Sequence, residues 1–261
     1  MSQTLLHGPF FKVTLTAIAA EYQFGLTRFE SIASTNDAGS SFLREMGVGD
    51  QWFVADEQTG GRGRLGRQWS SPKGNLYASL ALRAPCPVEY GFQLGFVAAL
   101  SIYDAVATFG TVKDHLSLKW PNDVLSNGAK LSGILVEGSI LPDGTFGAVI
   151  GCGINVSSHP LDTPYPATDL AEQGLWITVE DLFAALAQSF RTNLDCFDKG
   201  NGFSYIRSRW IEHARGIGGP ISVRQANDVI EGTFQGLDDQ GKLLLAQDGK
   251  VTAIIAGDVF Y

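Results

Sequence analysis

The sequence predicts an α+β fold, a mixed-sheet α/β domain followed by a small all-β unit. Three observations predict it. Strand alternation and helical stripes interleave along most of the chain, as where Leu76, Ala78, Leu80 and Leu82 alternate with Tyr77, Ser79, Ala81 and Arg83. After Gly216-Ile217-Gly218-Gly219-Pro220 the helical pattern stops, and short apolar runs are divided by turns at Asp239-Gln240-Gly241, Asp248-Gly249 and Gly257-Asp258. The length of 261 residues suits one large domain with a small appendage.

The elements follow in chain order. Arg28 to Ile32 reads as a strand. Ser34 or Thr35 caps a helix whose Ala38, Phe42, Leu43 and Met46 share a face, and Gly47 and Gly49 end it. Gln51 to Glu57 is a strand, and residues 58–74 form a Gly-rich basic loop. A strand over 76–82 follows. Phe92, Phe96, Ala99, Leu100, Tyr103 and Val106 make a helical stripe. Pro121-Asn122 turns between strands at 116–120 and 124–126, and further strands cover 130–137 and 146–156. Residues 157–176 are a polar, Pro-containing loop. Thr178 with Asp181 opens a helix that buries Leu182, Phe183, Leu186, Phe190 and Leu194, and a second helix covers 203–213. Strands at 221–224, 229–236, 242–247, 251–255 and 258–260 make an SH3-like barrel. The domains are therefore expected to be an N-terminal extension over 1–25, a main domain over 26–215 and a β domain over 216–261.

Composition narrows the class. Apolar residues make up 44% and the net charge is −8, a soluble globular balance that argues against bulk attraction to nucleic acid or anionic membrane. Cys86, Cys152 and Cys196 are far apart, without C-x-x-C spacing, and read as free thiols in a reducing cytoplasm. Phe10 to Ala20 is apolar, but Lys12, Thr14 and Thr16 interrupt it and no basic segment precedes it, so it does not read as a signal peptide. No apolar stretch reaches the ~18 residues of a membrane span.

The loop Gln58-Thr59-Gly60-Gly61-Arg62-Gly63-Arg64-Leu65-Gly66-Arg67-Gln68-Trp69 carries the chemistry. With Lys73 it holds four of the 19 basic residues and none of the 27 acidic ones. Glycines let backbone N–H groups approach an anion closely. Arginines offer fixed, always-charged forks for phosphate or carboxylate. Trp69 offers a ring for stacking. A solvated Gly/Arg surface loop is the plain alternative. No Gly-Lys-Ser/Thr follows, which excludes a Walker A loop. Gly61, Gly63 and Gly66 match G-x-G-x-x-G, but Trp69 and Pro72 lead into loop and strand, not the helix a dinucleotide fold needs. A single Arg-Gly tract in an acidic chain is a poor RNA-binding signal.

Gly61–Arg67 followed by Trp69 resembles the GRGRxGRxW signature of biotin–protein ligases. Four further segments resemble that family in its order: Ser34-Thr35-Asn36, Lys119-Trp120-Pro121-Asn122-Asp123, Lys130-Leu131-Ser132-Gly133-Ile134-Leu135 and Gly151-Cys152-Gly153-Ile154-Asn155-Val156. The resemblance covers residues 26–261, more loosely in the β-rich tail. It implies an enzyme that uses ATP with Mg²⁺ to convert biotin into biotinyl-5′-AMP and passes the biotinyl group to a lysine of a biotin carboxyl carrier protein of acetyl-CoA carboxylase or a related carboxylase.

It also implies roles. Ser34, Thr35, Asn36, Gln58, Gly61, Arg62, Arg64, Lys130 and Gly133 would bind biotin. Arg64, Arg67, Trp69, Lys130, Asn155, Asn122 and Asp123 would bind ATP, with Mg²⁺ near Asn155 and no protein-only metal cage. Lys130, Arg64 and Arg62 would carry catalysis, with Lys119 a lower-ranked rival to Lys130. Each residue keeps a plain alternative. Ser34 and Thr35 cap a helix, Gln58 is a loop polar residue, and Trp69 is a core aromatic. Lys130 is a solvated strand-edge lysine, Asn155 ends a strand, and Asn122 and Asp123 form a turn.

Many bacterial members carry an N-terminal winged-helix domain and act as repressors. Residues 1–25 are too few for one, so no operator binding is expected. A homodimer is common in the family, but no residue here specifies it. The competing functions are a lipoate–protein ligase and a non-catalytic biotin sensor. The full GRGRLGRQW and KWPND set speaks for biotin, and intact Arg64, Trp69 and Lys130 speak for turnover.

Overall fold

The computed structural model describes residues 14–46, 50–110, 112, 115–225 and 228–261. Seven strands form one mixed sheet in the order β1-β2-β3-β7-β6-β5-β4. They are β1 (Gly25–Ile32), β2 (Gln51–Gln58), β3 (Leu76–Arg83), β4 (Leu116–Lys119), β5 (Asp123–Ser126), β6 (Ala129–Ile140) and β7 (Phe146–Ile154). Only β1 and β2 pair in parallel, because helix α2 (Thr35–Met46) crosses between them. The helix stop expected at Gly47 and Gly49 lies outside the described residues.

Helices cover both faces of the sheet. α2 packs on β2, β3 and β7. The opposite face is covered by α3 (Leu94–Ala107) and α4 (Val179–Phe197), and α5 (Phe203–Glu212) packs on those two helices. Double coverage explains why β3 is buried along both faces, including the polar Ser79. Trp52 of β2 is fully buried and meets Phe183 and Phe190 of α4 edge-on at 5.5 and 5.1 Å. Thr178 caps α4 as expected, its Oγ1 accepting from the Asp181 N–H at 3.0 Å.

Two expectations need correction. The stripe read from Phe92 to Val106 implied a one-sided helix. In the structure α3 is buried nearly all round, between sheet and helices, while Phe92 lies in a preceding 3₁₀ segment and is 46% exposed. The stretch Val88–Ala107 is also long and apolar enough to cross a membrane, although no such stretch was expected; 78% of its most apolar window is buried inside the fold. In addition, the apolar run near the N-terminus forms α1 (Leu15–Glu21). Its Leu15, Ile18 and Ala19 join the core against β1 and α4. Residues 10–13 of that run lie outside the described residues.

The C-terminal unit is the expected SH3-like β domain. It is a five-stranded antiparallel sheet in the order β11-β10-β9-β8-β12, made of β8 (Pro220–Gln225), β9 (Asp228–Leu237), β10 (Leu243–Gln247), β11 (Lys250–Ile254) and β12 (Asp258–Phe260). The segment leading into it is tied to the first sheet at β4, where Leu118 exchanges backbone hydrogen bonds with His213 and Arg215, each 2.8 Å. Trp120 Nε1 donates to Gly241 O at 3.2 Å across the same seam. This docking brings β12 to the mouth of a cleft on the α2 side of the main sheet.

Candidate active site

The cleft has a volume of about 220 Å³. One end is a hydrogen-bonded network at the start of α2. Ser34, Thr35 and Asn36 are all buried. Ser34 is the helix cap, with Oγ accepting from the Asp37 N–H at 3.4 Å and from Arg62 at 3.3 Å. Thr35 donates through both N–H and Oγ1 to Gln58 Oε1, at 2.9 and 3.0 Å. Ser79 Oγ lies 2.7 Å from Thr35 Oγ1 and 2.6 Å from Asn36 Oδ1. Asn36 Nδ2 donates to Glu137 at 2.7 Å. Arg62 is clamped by two carboxylates, Asp37 at 2.7 Å and Glu137 at 3.0 Å. The Asp37 hydrogen bond, then Glu137, raises its guanidinium above the ordinary value despite partial burial.

Glycines make room for this arrangement. A Cβ on Gly151 would stand 2.2 Å from Asn36 Oδ1. Cβ atoms on Gly133 and Gly153 would stand 2.8 and 2.5 Å from the Trp69 indole. Trp69 therefore lies on the backbones of β6 and β7, a half-buried wall of the cleft. Gly61 is buried, and its carbonyl accepts from Trp69 N–H at 3.0 Å.

The other end is cationic. Lys130 Nζ lies 2.7 Å from Asp123 Oδ1 and 5.4 Å from the Trp69 ring centre. Arg64 donates to Asn122 Oδ1 at 3.1 Å and to Gly257 O at 3.4 Å. Burial lowers its guanidinium from the ordinary value, though arginine stays protonated. Arg67 binds Asp258 at 2.9 Å, which raises it, and Tyr165 Oη at 3.3 Å. Asn122 Nδ2 donates to Ile134 O at 2.7 Å, and Asn155 Nδ2 to Thr168 O at 2.9 Å. Arg64, Arg67, Lys119 and Lys130 thus outnumber Asp123 and Asp258 in this part of the cleft. A polyanion is the ligand such a balance suits. Among the described residues no group of three or more His, Cys, Asp or Glu side chains could hold a metal ion. The oxygen donors of Asp123 and Asn155 suit an ion carried on phosphates and completed by water.

Residues 28–155 match the Biotin/lipoate A/B protein ligase family, and residues 216–261 match the Biotin protein ligase C terminal domain. The biotin–[acetyl-CoA-carboxylase] ligase of Paracoccus denitrificans is 37% identical over 82% of this chain and 91% of its own length. The bifunctional ligase/repressor BirA of Escherichia coli is 32% identical over 87% of this chain and 71% of its own length. The biotin protein ligase of Aquifex aeolicus, solved in complex with biotin and ATP, superposes with a TM-score of 0.75 at 29% identity, covering 90% of this chain and 97% of that one. This chain belongs to the biotin protein ligase family. With its C-terminal unit matching the biotin protein ligase C-terminal domain, the lipoate ligase alternative is not favoured.

Seen as a biotin ligase, the chain gathers nearly every residue singled out in its sequence around one cleft. Ser34, Thr35, Asn36, Gln58, Arg62, Arg64, Arg67, Trp69, Asn122, Asp123, Lys130, Gly133 and Asn155 all line it. Gly61 does not, and acts through Trp69 and Gln58. Sequence reasoning missed Asp37, Ser79, Glu137, Tyr165 and Asp258. Ser79 had a readable signal, a hydroxyl inside an apolar strand. The acids had none, because their partners lie 25 to 191 residues away in the chain.

Proposed function

We propose that this protein activates biotin with ATP to biotinyl-5′-AMP and transfers the biotinyl group to a lysine of a biotin carboxyl carrier domain. The observation that carries the reading is one continuous cleft with a neutral, hydrogen-bonding end at Ser34, Thr35 and Gln58 and a cationic end at Arg64, Arg67 and Lys130. Biotin has the same polarity, a ureido ring at one end and a carboxylate at the other. A pocket of this kind needs few polar groups, placed by others. Asn36 and Ser79 hold Thr35 and Gln58 ready, and the Asp37–Arg62–Glu137 clamp fixes the loop.

In the first half-reaction a biotin carboxylate oxygen attacks the α-phosphorus. The bond to the bridging oxygen breaks, and pyrophosphate leaves with the electron pair. Two anions must meet, so the protein's task is positioning and charge stabilisation. Lys130 is the cation for both carboxylate and α-phosphate, and Asp123 orients its ammonium. Arg64 and Arg67 hold phosphate oxygens, Trp69 offers its ring to adenine, and Asn122 fixes Arg64. Asn155 and Asp123 are the oxygen donors that would hold magnesium bound with ATP, which would neutralise phosphate charge further. In the second half-reaction the acceptor amine attacks the activated carbonyl and AMP leaves. The 62–68 hairpin, with Leu65 at φ 55° and 86% exposed at its tip, is placed to close over the water-sensitive intermediate.

The reading takes residues 26–215 as catalytic and 216–261 as the C-terminal domain, with α1 of the 1–25 extension packed on the former. It includes a cytoplasmic location, in keeping with the free thiols Cys86, Cys152 and Cys196. The test is incubation with ATP, Mg²⁺, biotin and a carrier domain of acetyl-CoA carboxylase, read by mass spectrometry. One biotinylated lysine is expected. A lipoylated carrier when lipoate replaces biotin, or an unmodified carrier, overturns the reading.

A further inference from the structure

Lys119 sits at the end of β4, half-buried, and lines the cleft beside Lys130. Its surroundings differ from those of the other cations. Lys130 and Arg67 each rest on a carboxylate at 2.7 and 2.9 Å. Lys119 instead sits among three aromatic rings. Its Nζ is 5.0 Å from the Tyr165 ring centre, 5.8 Å from Phe260 and 6.0 Å from Tyr261. Tyr165 comes from the loop over the cleft, and the other two come from the last residues of the C-terminal domain. Ring faces steady an ammonium without neutralising it, as a carboxylate does. Burial lowers the ammonium from its ordinary value, while Asp123 and Asp258 work against that shift.

We propose that Lys119 is the cation for the leaving pyrophosphate and that the C-terminal residues Phe260 and Tyr261 hold it in place. This rests on the ligase reading above and deepens it. Negative charge builds on the bridging oxygen and the β- and γ-phosphates as the bond to the α-phosphorus breaks. A cation not committed to a carboxylate costs least to turn toward that charge. The aromatic box also gives the C-terminal domain a part in the first half-reaction only. Transfer from biotinyl-5′-AMP has no pyrophosphate to stabilise.

The experiment separates the two halves. Lys119→Met keeps the stem and removes the charge, Lys119→Arg restores charge, and Phe260→Leu opens the box. Three readouts are used: biotin-dependent ATP–pyrophosphate exchange, inhibition by inorganic pyrophosphate, and single-turnover biotin transfer from synthetic biotinyl-5′-AMP. Lys119→Met is expected to lose about 100-fold in exchange. Its pyrophosphate inhibition weakens, while transfer stays within about twofold, a split that damage to folding would not give. Phe260→Leu is expected to lose about 3- to 10-fold in exchange alone, and Lys119→Arg to recover part of the loss. Unchanged exchange in Lys119→Met, or equal loss of exchange and transfer in both Lys119→Met and Phe260→Leu, overturns the proposal. Absence of exchange in the unsubstituted protein overturns the ligase reading itself.

Discussion

The two ends of the cleft are built in opposite ways. At the neutral end every polar side chain is held by another: Ser79 holds Thr35 and Asn36, Gln58 holds Thr35, and Glu137 holds Asn36 and Arg62. These contacts are short and several are buried, so the end is rigid before any ligand arrives. At the cationic end the groups come from the 62–68 hairpin, β4, β6 and the C-terminal domain, joined by ion pairs that are partly open to water, such as Arg67–Asp258. Such pairs exchange partners at little cost. One end therefore selects by fixed geometry, and the other responds to an incoming triphosphate by swapping carboxylate for phosphate.

Substitutions can break this comparison. The largest effect is expected at Lys130→Ala, about 10²- to 10³-fold in biotin-dependent pyrophosphate exchange, the scale for removing one preorganised charge-stabilising donor. A loss below tenfold would move the central cation elsewhere, with Lys119 next in line. Gly151→Ala comes second. Its Cβ would press on Asn36 Oδ1, which Ser79 and Glu137 prevent from retreating. Overpacking of this kind costs about 1–3 kcal/mol, read as a rise in biotin KM of roughly 10- to 100-fold with ATP KM nearly constant. An equal rise in both constants would show that the two ends are not independent.

Ser79→Ala sharpens the same point more gently. It removes one buried hydroxyl from the network, worth about 1 kcal/mol, so biotin KM should rise about fivefold and ATP KM should not. The smallest effect is expected at Asp258→Asn. Freed from its carboxylate, Arg67 should meet phosphate more readily, lowering ATP KM about two- to fivefold at low salt, within the range of a partly exposed pair. The advantage should fade at high salt as screening grows. A raised ATP KM in this variant would mean that Asp258 positions Arg67 and does not compete for it.

The same contrast explains what the sequence could reveal. Residues with a demanding local pattern were readable: the Gly/Arg hairpin, the Lys119–Asp123 turn, the Ser34 cap and the strand alternation of β3. Their chemistry is set by neighbours in the chain. Asp37, Glu137 and Asp258 were silent, since an acid on a helix or strand looks solvated until the fold brings an arginine to it. The helix α1 was silent because its apolar face is short. Phe92 was misplaced because a 3₁₀ segment continues the spacing of the helix after it for only one turn.

The most direct test of the account is pyrophosphate exchange into ATP with the purified protein, without any carrier domain, comparing biotin, lipoate and no acid. The account predicts exchange with biotin alone, reduced about 10²- to 10³-fold by Lys130→Ala. Exchange supported by lipoate, or none with either acid, would contradict it.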